Sequence, residues 1–242
     1  MKRRLLIGLS IALPIVMATA GAAFAQNLSF EFGEGPSSAS RIVQLVGLLT
    51  ILSLAPGILV MVTSFTRIVV VLSFLRSAIG VQQTPPNIVI ISLALFLTAF
   101  IMGPTLEQSY EQGIVPLMNE DVDEVEGFKL AAAPIVDFML AHVREQDLQL
   151  FMDLSDTPQV ATPQDIPLRV LIPAFMISEL KRAFEIGFLL FIPFIIIDMV
   201  VASVLMSMGM LMLPPVFISL PFKLIFFVLV DGWYLVSGSL VQ

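Results

Sequence analysis

The last third of the chain, residues 174–241, is almost continuously apolar and nevertheless carries ionisable side chains. Residues 173–188 read PAFMISELKRAFEIGF and lead directly into LLFIPFIIIDMVVASVLMSMGMLMLPP. An ionised group in a low-dielectric interior costs several kcal/mol unless it is paired. Ionisable groups within apolar helices are typical of proteins that assemble with partners or transport a substrate. The charged or strongly polar residues in these segments are Ser178, Glu179, Lys181, Arg182, Glu185 and Asp198.

The composition predicts an all-α membrane-associated protein. The chain is 57% hydrophobic and 13% charged, whereas soluble domains are about 45–50% apolar and about 25% charged. Cysteine is absent and His142 is the only histidine, so we predict no disulfide, no thiolate or multi-histidine metal site and no cofactor. The net charge of −7 argues against nucleic acid as a partner.

Residues 1–25 have the pattern of a cleavable signal peptide. A basic start at residues 2–4 precedes a short apolar run, and Ala-Phe-Ala at 23–25 supplies the cleavage site. The alternative is an uncleaved first membrane helix. We predict that residues 26–41 form a flexible lead.

A first hydrophobic helical hairpin is predicted for residues 42–106. Its two spanning-length apolar runs are 42–65 and 88–102, and a shorter run between them is flanked by Arg67 and Arg76. Both arginines mark the cytoplasmic side in this interpretation. The residues predicted to kink or end these helices are Pro56, Gly57, Pro85, Pro86, Gly103 and Pro104.

An acidic region follows at residues 107–172. Between 107 and 165 thirteen acids face only Lys129 and Arg144, a local charge of −13 + 2 = −11, which predicts a periplasmic location. The apolar spacing predicts one helix with Pro134 in its first turn and Asp153 near its end. His142 lies on its apolar face, where we expect a packed side chain rather than a metal ligand.

The rest of the chain is predicted to be a Pro-rich connector, 158–173, and a second hydrophobic hairpin, 173–242. The hairpin divides at Met208 and Gly209 and again at Pro214, which predicts two long helices joined by a methionine-rich turn. Its charges either face one another inside a helical bundle or belong to helices buried in a multi-subunit assembly. We favour the assembly.

Three segments carry a resemblance to a known family. They are 61–104, which contains TSFTR and PPN, then PAFMISELKRAFEIGF at 173–188, and 190–235. The chain resembles the FliP family of flagellar type III secretion export gates. Injectisome export-gate subunits are the alternative, and the cleavable signal favours the flagellar members. The family signature is matched at Pro173, Ala174, Phe175, Ser178, Glu179, Leu180, Phe184, Ile186 and Gly187.

The resemblance implies a helical, cone-shaped export gate in the bacterial inner membrane, at the flagellar basal body. FliQ, FliR, further FliP copies and other export-apparatus membrane proteins are the implied partners, and unfolded flagellar proteins pass outward. The implied role is structural and not enzymatic. The resemblance also places a pore gasket in the methionine turn, at Met208, Met210, Leu211 and Met212, whereas composition alone favours core-filling methionines.

Buried charges suggest one further contact and two rival functions. Glu179 and Lys223 both need opposite charges, and we predict an ion pair between neighbouring subunits, with a pair inside one subunit or a solvated helix end as alternatives. Asp198 and Asp231 would serve an intramembrane aspartyl protease, but neither follows Gly-x-Gly. A proton-coupled transporter is the other rival, although no inverted repeat is visible.

Overall fold

The computed structural model describes residues 38–81, 84–155, 162–210 and 212–241, and the regular structure within these ranges is entirely helical. The predicted signal peptide lies outside the described residues. The helices are α1 Ser38–Val62, α2 Phe65–Ile79, α3 Asn87–Ser109, a π-helical turn Tyr110–Ile114, α4 Val115–Met118, α5 Glu124–His142, α6 Glu145–Leu154, a 3-10 turn Pro163–Asp165, α7 Leu168–Ser207, α8 Pro215–Leu229 and α9 Gly232–Val241.

The chain forms two units by its contacts, residues 1–50 and 51–242. In the first unit the described residues belong to α1, and apolar side chains such as Ile42, Val43 and Leu49 are exposed. The second unit holds all the other helices and the buried apolar clusters.

Helix α7 takes part in both apolar clusters of the second unit. Its Ala183 and Phe194 share one cluster with Leu75 of α2 and Phe227 of α8. Its N-terminal half contributes Phe175 to the other cluster, with side chains of α5 and α6. One long helix therefore connects the acidic region to the C-terminal hairpin.

Gly187 lets α2 and α7 approach closely. A Cβ atom at position 187 would lie 2.5 Å from Cδ2 of Phe74, a distance that real side chains do not adopt. The Phe74 ring instead packs edge-on against Phe184, with the two centroids 5.0 Å apart. The family-signature glycine thus has a packing reason in this fold.

Several prolines lie inside helices, and the helix ends predicted from them are wrong. Pro104 lies within α3, Pro134 within α5 and Pro173 within α7. Proline removes one backbone hydrogen bond and has a φ close to the helical value. In apolar surroundings the remaining backbone groups still favour a helix. The predicted connector 158–173 is therefore too long, because α7 already begins at Leu168.

In the acidic region, residues 134–153 belong to two helices, α5 and α6, in place of the single one predicted from Pro134 to Asp153. Helix α5 begins ten residues before Pro134, at Glu124, because the Asp123 carboxylate caps it and accepts from the backbone N–H of Glu126 at 2.8 Å. It ends at His142, and α6 begins at Glu145.

Three helical segments are long and apolar enough to cross a membrane, namely Leu45–Val62, Asn87–Met118 and Leu168–Ser207. Helices α8 and α9 form a fourth if the pair, bent by 63°, makes one span. The predicted all-α membrane protein is confirmed. The expectation of one long final helix is wrong, since Asp231 adopts φ +50° and separates α8 from α9.

Candidate functional site

The methionine-rich turn between α7 and α8 has the hydrogen bonds of a Schellman motif. Gly209 adopts φ +77°, and its N–H donates to the carbonyl of Met206 at 3.1 Å. The N–H of Met210 donates to the carbonyl of Leu205 at 3.0 Å. Glycine suits this position because it has no Cβ to strain a left-handed conformation. Pro215 opens α8 at the first helical position, so the turn is sharply bounded on both sides.

The described methionine side chains in and beside this turn point away from the interior. Met206, Met208 and Met210 are exposed, and Met212 is 97% exposed. Leu211 lies outside the described residues. Three of the four predicted gasket residues therefore lie exposed on one turn, and their role in sealing a pore stays a prediction.

An apolar groove runs from the turn along the hairpin. It has a volume of about 580 Å³ and lies between α7 and α8. Every lining side chain is apolar, among them Ile197, Val201 and Met208 of α7 and Ile218 and Phe222 of α8. The hairpin therefore does not close by apolar packing along this face.

Polar contacts join the two arms of the hairpin. The ammonium of Lys223 on α8 donates to Oδ2 of Asp198 on α7 at 2.6 Å, and the Ser219 hydroxyl donates to Oδ1 at 2.5 Å. The Lys223 side chain is 5% exposed. Its Nζ also donates to the Ala78 carbonyl at 3.2 Å, in the last turn of α2, where a cation is favourable. Lys223 thus ties three helices together.

Arg67 and Glu179 form a second buried ion pair, between α2 and α7. Arg67 Nε lies 3.4 Å from Glu179 Oε2, and the Glu179 side chain is wholly buried. Among the described residues neither carboxylate oxygen has a hydrogen-bond partner. The charge of Glu179 is therefore compensated chiefly by the nearby guanidinium. Arg67 is therefore a structural partner of Glu179, and the prediction that it marks the cytoplasmic side stays a prediction.

The structure does not bring Glu179 and Lys223 together within one chain. Each has another oppositely charged partner, Arg67 and Asp198 respectively. Their contact between neighbouring subunits stays a prediction, and it would have to compete with these two internal pairs.

A third polar network anchors the acidic region to α7. Arg144 donates twice to Asp147, with both bonds at 2.8 Å. The buried Ser178 hydroxyl contacts Asp147 Oδ2 at 2.6 Å and accepts from the Arg144 backbone N–H at 3.0 Å. Ser178 and Glu179 therefore hold α7 to α6 on one side and to α2 on the other.

The Asp198 carboxylate accepts hydrogen bonds from Lys223 and Ser219. Asp231 is instead exposed at the break between α8 and α9. This arrangement gives no support to a carboxylate pair for proteolysis. His142 stacks on the Phe138 ring, with centroids 4.3 Å apart, as expected for a packed histidine. Throughout the described ranges, no three His, Cys, Asp or Glu side chains form a cluster suited to a metal ion.

Comparison of the sequence with known proteins assigns the chain to a family. The FliP family model matches residues 48–240. A flagellar biosynthetic protein FliP of Caulobacter vibrioides is 60% identical over 242 residues, which is 100% of this chain and 91% of that protein. The protein of the same name from Bacillus subtilis is 56% identical over 86% of this chain and 94% of its own length. That of Aquifex aeolicus is 52% identical, over 96% and 98%.

Proposed function

Because this chain belongs to the FliP family, we propose that it is a non-enzymatic subunit of the flagellar type III protein export gate. With FliQ, FliR and further copies of itself, it builds the wall of a pore in the inner membrane at the flagellar basal body. Unfolded flagellar proteins cross through this pore. Other export-apparatus membrane proteins surround it, and the acidic region faces the periplasm.

The observation that carries this proposal is the exposed methionine turn at the tip of the α7–α8 hairpin. Thioether side chains are flexible and polarisable, so they fill irregular gaps without a fixed shape. Several such turns, contributed by neighbouring copies, close a pore against water and deform around a passing chain. In the single chain Met210 is 46% exposed and Met212 is 97% exposed, so both side chains are accessible to neighbouring copies, as a shared seal requires.

The length of α7 supports assembly beyond the bilayer. Its 40 residues span about 60 Å, roughly twice the 30 Å hydrocarbon core. Large apolar side chains such as Phe188, Met199 and Phe217 remain exposed. Partner subunits that cover these side chains would stabilise the helices outside lipid.

A polarity change at the turn tests the pore seal. The substitutions Met210→Gln and Met212→Gln, made together, should let small ions leak through assembled gates, measured as loss of membrane potential. The matched control Met210→Leu with Met212→Leu keeps the surface of the turn apolar, and gates built from it should not leak ions. A leak from both variants, or from neither, contradicts the gasket.

Purification in mild detergent tests the assembly. We expect the chain to elute with FliQ and FliR as one large particle, and a lone monomer would contradict the proposal. Within that particle, reversing Glu179 to Lys and Lys223 to Glu should abolish export singly and restore it together if the two residues pair between subunits. Each reversal also sets a like charge against Arg67 or Asp198. Rescue by the double reversal would therefore show that the contact between subunits outweighs both internal pairs, and no rescue would show that the internal pairs dominate; neither result bears on the gate itself.

A further inference from the structure

Three buried polar atoms of the Arg67–Glu179 pair have no hydrogen-bond partner within the described part of the chain. They are Nε of Arg67 and both carboxylate oxygens of Glu179. Among the described residues, one other buried side-chain atom shares this property, the Ser64 hydroxyl oxygen. Buried polar atoms are almost always hydrogen-bonded, to protein or to ordered water, and charged groups lose the most when they are not. The concentration of such atoms at one ion pair therefore points to a further hydrogen-bonding partner.

The hydroxyl groups next to the pair along the chain are already engaged. Ser178, the residue before Glu179, contacts Asp147 Oδ2 at 2.6 Å. Thr66, the residue before Arg67, donates to a backbone carbonyl of α1 at 3.0 Å. A hydroxyl has a single proton to donate, so neither side chain has one left for the carboxylate.

The spacing within the pair leaves its own hydrogen bonds unmade. Arg67 Nε lies 3.4 Å from Glu179 Oε2, whereas a hydrogen bond between a guanidinium and a carboxylate is about 2.7–2.9 Å long. Nε–H is a donor only, and an ionised carboxylate is an acceptor only. A molecule that accepts one hydrogen bond and donates others would therefore satisfy both groups.

A neutral molecule suits this position better than an ion. The pair already balances one positive charge against one negative charge, so an added cation would face Arg67 and an added anion would face Glu179. The molecule must also be very small, because the Glu179 side chain is wholly buried and the Arg67 side chain keeps 9% exposure. Water meets both requirements, and a buried water typically makes about three hydrogen bonds to otherwise unsatisfied groups.

We propose that one ordered water molecule binds between α2 and α7, where it accepts a hydrogen bond from Arg67 Nε–H and donates to the Glu179 carboxylate. The water completes the buried ion pair and forms part of the contact between the two helices. The site lies within a single chain and does not depend on the proposed gate.

The test is water–protein nuclear Overhauser spectroscopy on the full-length protein in detergent micelles, with isotope-labelled arginine. We expect a dipolar cross-peak between water and Arg67 Nε–H, which rotating-frame spectra distinguish from chemical exchange. Arg144 is the control within the same molecule, since its Nε donates directly to Asp147 at 2.8 Å and should show no such cross-peak. Glu179→Met should lose the Arg67 cross-peak, whereas Glu185→Met, at an exposed acid of the same helix, should keep it.

An experimental density map that shows ordered water gives an independent answer and requires no variant to fold. We expect a peak at hydrogen-bond distance, about 2.7–3.2 Å, from both Arg67 Nε and one carboxylate oxygen of Glu179. A direct hydrogen bond between Nε and Oε2 with no peak beside it would overturn the site. So would an absent Arg67 cross-peak, an equal cross-peak at Arg144, or a cross-peak that Glu179→Met leaves unchanged.

Discussion

Removing one partner of the Arg67–Glu179 pair should destabilise the fold far more than removing an exposed pair on the same helix. The Glu179 side chain is wholly buried, and Arg67 Nε lies 3.4 Å from Oε2. Since no described residue donates a hydrogen bond to the carboxylate, the variant Arg67→Met leaves the buried charge without its main compensation.

The expected magnitude follows from this geometry. Breaking a buried ion pair by removing one partner costs about 3–5 kcal/mol. At 1.4 kcal/mol per tenfold change, the unfolding constant should rise about a hundredfold to a few thousandfold. The reverse variant, Glu179→Met, should cost less, because the Arg67 side chain retains 9% exposure and some access to water. The double variant replaces both charges by apolar groups and should recover most of the loss.

The assay is equilibrium unfolding in mixed detergent–SDS micelles, followed by circular dichroism. The control pair is Lys181 and Glu185, one turn apart on α7, with side chains 49% and 61% exposed. Lys181→Met should shift the unfolding midpoint only slightly. A loss of stability in Arg67→Met no larger than in this control would contradict the role of the buried pair, as would a double variant that loses as much stability as the two single variants added together.

Three further predictions use the same unfolding measurement. Gly187→Ala places a Cβ 2.5 Å from the Phe74 ring and should lower the free energy of unfolding by about 1–3 kcal/mol. Adding Phe74→Leu should restore part of this loss. An unchanged free energy of unfolding would show that α2 and α7 move apart without cost. In Gly209→Ala the added Cβ meets no neighbour within 4 Å, but the residue keeps φ +77°. Only backbone strain of about 1 kcal/mol is therefore expected, and a larger loss in the free energy of unfolding would contradict this expectation. Ser178→Ala removes a 2.6 Å hydrogen bond to buried Asp147 and should lower the free energy of unfolding by about 1–3 kcal/mol. Helices α5 and α6 should also be proteolysed faster. Unchanged proteolysis would contradict the anchoring role of Ser178.

Local sequence signals predicted the elements correctly where the cause is itself local. Gly209 supplies the left-handed residue that ends α7, and the prolines after it fit the start of α8. The division of the last apolar stretch at this turn can therefore be predicted from residues 206–212 alone. The apolar runs likewise predicted membrane-length helices, because length and hydropathy are properties of the segment alone.

The partners of the buried charges could not be read in the same way. The requirement that Glu179 be paired follows from its apolar setting, but the choice among several cations depends on how helices distant in sequence pack. The sequence pairs Glu179 with Lys223 because both lie in strongly apolar stretches, yet the fold brings Arg67 to Glu179 and gives Lys223 to Asp198. No sequence signal separated these possibilities.

The two internal pairs also explain how so apolar a chain selects one arrangement of its helices. When apolar side chains cover both the interior and the exterior, burial alone distinguishes weakly between one helix face and another. A buried charge does distinguish them, because only one neighbour compensates it. Arg67 with Glu179 sets α2 against α7, and Lys223 sets α8 against both. In this interpretation the pairs define the protomer and leave its remaining apolar faces, the methionine turn included, free to meet other subunits.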